Sequence, residues 1–274
     1  MGGSQLAAEI LSMTRSDLVI HWDYDLPTNI DNADLVICTS WSGNTEETIS
    51  SYQAALARKF DVIVIAGGGK LVELARENNT PLVILPEDHI PPRTATGYMT
   101  GALFALLGVA DQLPISLDAT ISEEEGKALA EKIGPKVPLI YSAYPLRRLT
   151  GFWKMAFNEN AKTPAYANWF PSAAHYELAS LPGASPDRYF PIIIRDTQED
   201  PRHARNLDAL LALLDKREYT DSIVRLSAGG TPLEKVFNNY ILALWTSFYV
   251  ATKNGVDPAD TSLIEEFKEL KKSF

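Results

Sequence analysis

The sequence predicts an α/β protein of two tandem halves, each a doubly wound, mainly parallel sheet flanked by helices. Short continuous apolar runs alternate with helical patterns in both halves, which is how strands buried on both faces of a parallel sheet read. A length of 274 residues suits about two domains of roughly 100–200 residues each. The polar, acidic stretch 111–125, which contains Pro114, reads as the connection between them. The expected domains are therefore 1–115 and 116–274.

In the first half a helix is expected over 5–14, followed by a strand in Leu18-Val19-Ile20-His21-Trp22. The run Leu35-Val36-Ile37-Cys38-Thr39 is the next strand. A helix over 46–58, a strand over 62–66, a helix over 70–78 and a strand over 82–85 follow. Gly67-Gly68-Gly69 reads as a plain turn, although it falls at the edge where ligands bind in such sheets. A long apolar pattern over 94–108 closes this half as a helix. In the second half, strands are expected over 137–142, 189–195 and 223–226. Helices are expected there over 145–158, 175–180, 201–214, 232–252 and 261–272.

Hydrophobic residues make up 46% and charged residues 22% of the chain, the balance of an ordinary globular protein. No apolar run approaches the roughly 20 residues that span a bilayer. Met1-Gly2-Gly3-Ser4 lacks the basic and apolar regions of a secretory signal, so a cytoplasmic protein is expected. The single cysteine, Cys38, excludes a disulfide within the chain, argues against a zinc cluster, and reads as strand core. A net charge of −10 argues against a nucleic-acid partner. It also repels anionic substrates, which must then be met by local cations.

The most informative stretch is Ser40-Trp41-Ser42-Gly43-Asn44-Thr45-Glu46-Glu47-Thr48. Strand, hydroxyl-rich turn and helix in that order gather unpaired backbone donors, the positive end of a helix dipole and three hydroxyls around a space that fits a phosphate monoester. Gly43 lets the backbone turn tightly and approach a ligand. Ordinary helix capping, with Ser or Thr followed by Glu, is the competing reading.

A second cluster is Asn158-Glu159-Asn160-Ala161-Lys162-Thr163-Pro164-Ala165. Glu159 stands at the expected end of a helix, where carboxylates are disfavoured. A carboxylate that moves a proton between adjacent carbons is what an aldose–ketose isomerase requires, and a solvated surface Glu is the alternative. His175, with Glu177 close in sequence, could assist ring opening by proton transfer or serve only in capping or packing. His21, His89 and His203 have no comparable company, and no histidine pair has the helical spacing of a metal site. Arg93 follows the stiff Pro91-Pro92 and could hold an anion or stabilise an enediolate. Lys268 lies in a charged helical run of the kind that is usually a solvated face, and periodicity does not single it out.

These residues carry a resemblance. The chain resembles the bifunctional phosphoglucose/phosphomannose isomerases, built from two sugar isomerase (SIS) domains. It does so through Gly2-Gly3-Ser4, Tyr24-Asp25-Leu26-Pro27, the serine-rich turn, Gly68-Gly69-Lys70-Leu71, Pro92-Arg93, Asn158-Glu159-Asn160-Ala161-Lys162, His175, Gly255-Val256-Asp257-Pro258 and the terminal Ile264, Phe267 and Lys268. The resemblance implies that Ser40, Ser42 and Thr45, with Gly3 and Ser4, hold the phosphate of a hexose substrate. It implies that Glu159 shuttles a proton between C1 and C2 through a cis-enediol, that Arg93 stabilises that intermediate, and that His175 opens the ring from a neighbouring subunit. Lys268 matches a lysine that reaches the active site, and Thr261 a position tied to accepting both C2 epimers. A homodimer is implied, and no metal or organic cofactor. The family's Pro-Glu-Ala-x-His-Asn-Glu stands here as Pro171-Ser172-Ala173-Ala174-His175-Tyr176-Glu177. A binding protein without catalysis, or an isomerase of another phosphosugar, are the alternative functions.

Overall fold

The computed structural model describes residues 3–12, 15–86, 90–113, 119–219 and 223–273. Expectations that fall on Gly2, His89 or Pro114 lie outside these residues. The chain divides into two units, Met1–Pro114 and Ile115–Phe274.

The first unit runs α1 (Gly3–Leu11), β1 (Leu35–Ser40), α2 (Glu46–Ala57), β2 (Asp61–Ala66), α3 (Gly69–Glu77), β3 (Leu82–Ile84) and α4 (Thr96–Leu106). Its strands form a parallel sheet in the order β1-β2-β3. Ser40 pairs with Ala66, and Ala66 with Ile84, so the three carboxyl ends line up on one edge. Cys38, Val62, Val64, Tyr52, Leu71 and Val72 form the core between this sheet and helices α2 and α3. Burial pushes the Cys38 thiol up to about 12, which removes the reactive thiolate at neutral pH. Tyr52 is enclosed, yet its hydroxyl reaches Thr80 Oγ1 at 2.7 Å and donates to the Leu74 carbonyl at 3.2 Å. In α1, Leu6, Ala7, Ile10 and Leu11 are buried at helical spacing, and the helix packs on α4.

Residues 18–22 form no strand, contrary to the expectation from their apolar pattern. Val19 and Trp22 are each 53% exposed. A strand needs a neighbouring edge to satisfy its backbone, and this run pairs with none of the described strands.

The second unit runs α5 (Ala119–Ile133), β4 (Val137–Ala143), α6 (Arg147–Glu159), β5 (Tyr166–Phe170), β6 (Tyr189–Asp196), α7 (Pro201–Asp215), β7 (Val224–Ala228), α8 (Pro232–Asn254) and α9 (Ser262–Lys271). Its sheet is parallel in the order β5-β4-β6-β7. Three elements differ from the sequence expectation. Helix α5 occupies part of the stretch read as a connection, because Leu129, Ala130 and Ile133 supply an apolar face behind the acidic residues. Strand β5 has a polar residue, Asn168, inside a short run, which weakens its apolar pattern. The expected helix over 175–180 is instead a pair of 3-10 turns, Ser172–His175 and Glu177–Gly183. Among the described residues no helix is long and apolar enough to cross a membrane.

Candidate active site

The turn after β1 is held by its own hydroxyls. Ser40 is 2% exposed; its Oγ accepts from the Gly43 N–H at 3.0 Å and lies 2.9 Å from Thr45 Oγ1. Ser42 Oγ accepts from the Asn44 N–H at 3.2 Å. Thr45 occupies the N-cap of α2 but makes no side-chain cap hydrogen bond, so a capping box does not account for the hydroxyls. Ser40 therefore organises the turn from beneath, while Ser42 and Thr45 stand exposed at the start of α2. The first turn of that helix offers backbone donors and the positive dipole end to an anion.

The glycine run reads differently once its neighbours are placed. The Gly67 N–H donates to the Trp41 carbonyl at 3.1 Å, and the Leu71 N–H to the Gly43 carbonyl at 2.9 Å. Asn44 Oδ1 accepts from the Lys70 N–H at 2.9 Å. The loops after β1 and β2 thus pack backbone against backbone. Gly43 sits at φ 67, and a Cβ there would lie 1.7 Å from the Gly68 carbonyl oxygen. The close approach that Gly43 permits is to this second loop. Asn44 and Gly67-Gly68-Gly69 are residues whose part in the turn was hidden in sequence, since their partners are more than twenty positions away. Trp41 stacks on Tyr98 of α4, ring centroids 5.8 Å apart.

Gly3 and Ser4 open α1. Arg93 is buried, 3% exposed, in the turn leading into α4; its carbonyl accepts from Thr96 Oγ1 at 3.2 Å, and Thr94 bonds back to the Pro91 carbonyl at 2.8 Å. The Lys70 ammonium, one residue into the helix beside the turn after β1, lies 3.1 Å from Glu73 and carries a raised pKa through that partner.

In the second unit, Glu159 is the last residue of α6 and half-buried. Two polar pairs fix this helix against α8: Asn160 Nδ2 donates to Ser247 Oγ at 2.8 Å, and Trp153 Nε1 lies 3.5 Å from Asn239 Oδ1. Asn160, 5% exposed, is thus an anchor beside the carboxylate. Lys162 Nζ donates to the carbonyls of Glu159 at 2.6 Å and Asp260 at 2.5 Å, with Pro258 at 3.4 Å. The segment that precedes α9 therefore meets the end of α6. Thr261 is the N-cap of α9 without a side-chain cap bond. Lys268 is 57% exposed and paired with Glu265 at 2.7 Å, so it lies on a solvated face of that helix.

His175 stands at the other end of the same unit. Strands β4 and β5 are parallel, so α6 must return the chain to the amino edge of the sheet before β5 begins. Glu159 ends that return, whereas His175 follows the carboxyl end of β5. Five strand residues put roughly 15 Å between those edges. The structure brings Glu159, Lys162 and Thr261 to one end and leaves His175 at the opposite one.

The turn carrying His175 is braced by Glu177. Tyr141 Oη donates to Glu177 Oε1 at 2.7 Å, Asn168 Nδ2 donates to Glu177 Oε2, and Tyr176 Oη donates to Asn168 Oδ1 at 3.0 Å. Burial, then the neighbouring Glu177 charge, raise the Tyr141 pKa far above the ordinary tyrosine range. The Tyr that replaces Asn after the histidine is thus used by the fold. Glu177→Ala would orphan the Tyr141 hydroxyl, and a loss of about 1–3 kcal/mol in denaturant unfolding is expected. Glu177→Gln, which keeps an acceptor, should lose less.

Comparison with known proteins places this geometry. Residues 122–270, more than half of the chain, match the family of the bacterial phospho-glucose isomerase C-terminal SIS domain. The bifunctional phosphoglucose/phosphomannose isomerase of Thermoplasma volcanium is 30% identical over 98% of this chain and 88% of its own length. A D-glucosamine-6-phosphate 4-epimerase of Sulfolobus acidocaldarius is 30% identical over 77% of this chain and 72% of its own. The C-terminal domain of glucosamine-fructose-6-phosphate aminotransferase from Francisella tularensis shares the fold, with a TM-score of 0.67 at 16% identity over 95% of this chain and 84% of that one. The fold is thus that of the SIS proteins, as the sequence predicts. The chain belongs to the bifunctional phosphoglucose/phosphomannose isomerase family.

Proposed function

We propose that this protein is an aldose–ketose isomerase that interconverts glucose 6-phosphate, and also mannose 6-phosphate, with fructose 6-phosphate. The observation that carries the reading is the family match along nearly the whole chain. Ser42 and Thr45, on the turn shaped by Ser40, receive the phosphate together with Gly3 and Ser4. The Glu159 carboxylate takes the C2 proton of the open-chain aldose. The C2–H electron pair becomes a C1=C2 bond as the carbonyl oxygen gains a proton, giving a cis-enediol. Return of the proton to C1, as the C2 hydroxyl gives up its own proton, forms the carbonyl at C2 and balances the proton gained at O1. The step is a redox change within one molecule and needs no external acceptor. Arg93 stabilises charge on the enediolate oxygens, His175 moves the proton that opens the ring, and Lys268 and Thr261 act from the α9 segment.

The active form in this reading is a homodimer with His175 supplied by the second copy, working in the cytoplasm. Two features support the dimer. Glu159 and His175 lie at opposite ends of one sheet, so a single second unit does not join them. Helix α9 also leaves Leu263, Ile264, Phe267 and Leu270 exposed, an apolar face that a second copy could cover.

The epimerase relative favours a second reading, in which an amino-sugar phosphate occupies the same phosphate turn. A coupled assay on the purified protein separates the two. Turnover of glucose 6-phosphate or mannose 6-phosphate to fructose 6-phosphate is expected. No turnover of either, with turnover of glucosamine 6-phosphate, would replace the first reading by the second.

A further inference from the structure

The Lys162 side chain crosses from the end of α6 to the segment that leads into α9. Its ammonium serves three backbone carbonyls, those of Glu159, Pro258 and Asp260. The residue pays for this position: its φ is 51, a conformation that costs an L-residue about 1–2 kcal/mol and that glycine adopts freely. A turn needed only for its shape would be served better by glycine. The partners also fit the charge. Carbonyls at a helix end carry the negative pole of the dipole, and the Glu159 carbonyl is one of them. Asp260, whose pKa is lowered first by hydrogen bonds from Ser262 and to a smaller extent by Lys162, closes the α9 end of the bridge.

We propose that Lys162 is a positioning residue that locks the segment before α9 to the Glu159 end of α6, so that Thr261 and α9 are presented to the substrate in fixed register with the base. The catalytic half of this proposal rests on the isomerase reading above; the mechanical half does not. With the clamp removed, α6 stays anchored by Asn160 and Ser247, while the segment before α9 loses its tie to Glu159.

The test uses Lys162→Gly, Lys162→Met and Lys162→Arg in the full chain. Lys162→Gly relieves the backbone while giving up the three carbonyl contacts, two effects of similar size. Its melting temperature should therefore stay near that of the wild type, and a wild-type far-ultraviolet dichroism removes misfolding as an explanation. For Lys162→Gly and Lys162→Met, kcat for hexose phosphate isomerisation should fall about 10- to 100-fold, the scale expected when a reacting group is displaced by about 1 Å. KM should stay within about threefold, and Lys162→Arg should recover part of the loss. Amide hydrogen exchange across 257–272 should rise in the Gly and Met variants and stay unchanged in β4 to β7. Wild-type kcat in Lys162→Gly, or unchanged exchange across 257–272, would overturn the proposal. A wild-type protein that turns over no hexose phosphate would overturn the isomerase reading, and the exchange measurement would still decide the clamp.

Discussion

Glu159→Gln is expected to lower kcat for hexose phosphate isomerisation by about 10³-fold, within the range that general acid–base catalysis contributes, while KM changes less than about threefold. The substitution is nearly isosteric, and it leaves in place two contacts at the end of α6 that do not use the carboxylate. Asn160 bonds Ser247, and Lys162 bonds the Glu159 backbone carbonyl. Melting temperature and far-ultraviolet dichroism should therefore match the wild type. The loss should appear in proton transfer itself. Wild-type protein in deuterium oxide should exchange the C2 hydrogen of glucose 6-phosphate, and Glu159→Gln should not. Normal turnover in this variant would remove Glu159 as the base.

Gly43→Ala should be the most damaging single-methyl change in the first unit. Its Cβ would meet the Gly68 carbonyl oxygen at 1.7 Å, with φ at 67. Left-handed backbone costs a non-glycine residue about 1–2 kcal/mol, and overpacking against rigid backbone adds about 1–3 kcal/mol. A destabilisation of about 3–5 kcal/mol in urea unfolding is expected. On the isomerase reading, stabilisation by fructose 6-phosphate should also vanish, because the two loops that shape the turn after β1 must separate. Gly68→Ala is the control: its backbone is extended at φ 175, and an added Cβ meets nothing within 4 Å. It should stay within about 0.5 kcal/mol of the wild type. Equal behaviour of the two variants would contradict the loop-on-loop packing.

What the sequence made legible was local. The run Leu35-Val36-Ile37-Cys38-Thr39 and the helix starting at Glu46 are where their apolar spacing and turn chemistry put them. Residues 18–22 have an equally apolar pattern and form no strand, because pairing depends on an edge supplied by distant residues. Helix α5 is hidden in the sequence because Glu123, Glu124 and Glu125 read as a linker, whereas Glu123 in fact accepts from the Tyr249 hydroxyl of α8 at 2.8 Å. The site shows the same division. Ser40, Ser42 and Thr45 could be picked out as a hydroxyl cluster before a helix, yet the glycines that brace them belong to another loop. Glu159 was singled out by an unfavourable place on its helix. The work of Asn160 and Lys162 beside it depends on Ser247, Pro258 and Asp260, about ninety residues on, and no local signal reports such partners. Lys268 gave no signal in the helical pattern, and its pairing with Glu265 explains why: its surroundings are those of any solvated helix.

The central claim is that catalysis needs Glu159 from one copy and His175 from another. Mixing Glu159→Gln with His175→Ala tests it most directly. Each variant alone should be nearly inactive. After co-refolding or co-expression, random pairing makes half of the dimers mixed, and each mixed dimer carries one site with both native residues. About a quarter of wild-type activity should return. If both residues serve a site within a single chain, the mixture would remain as inactive as its components, and the shared-site account would be wrong.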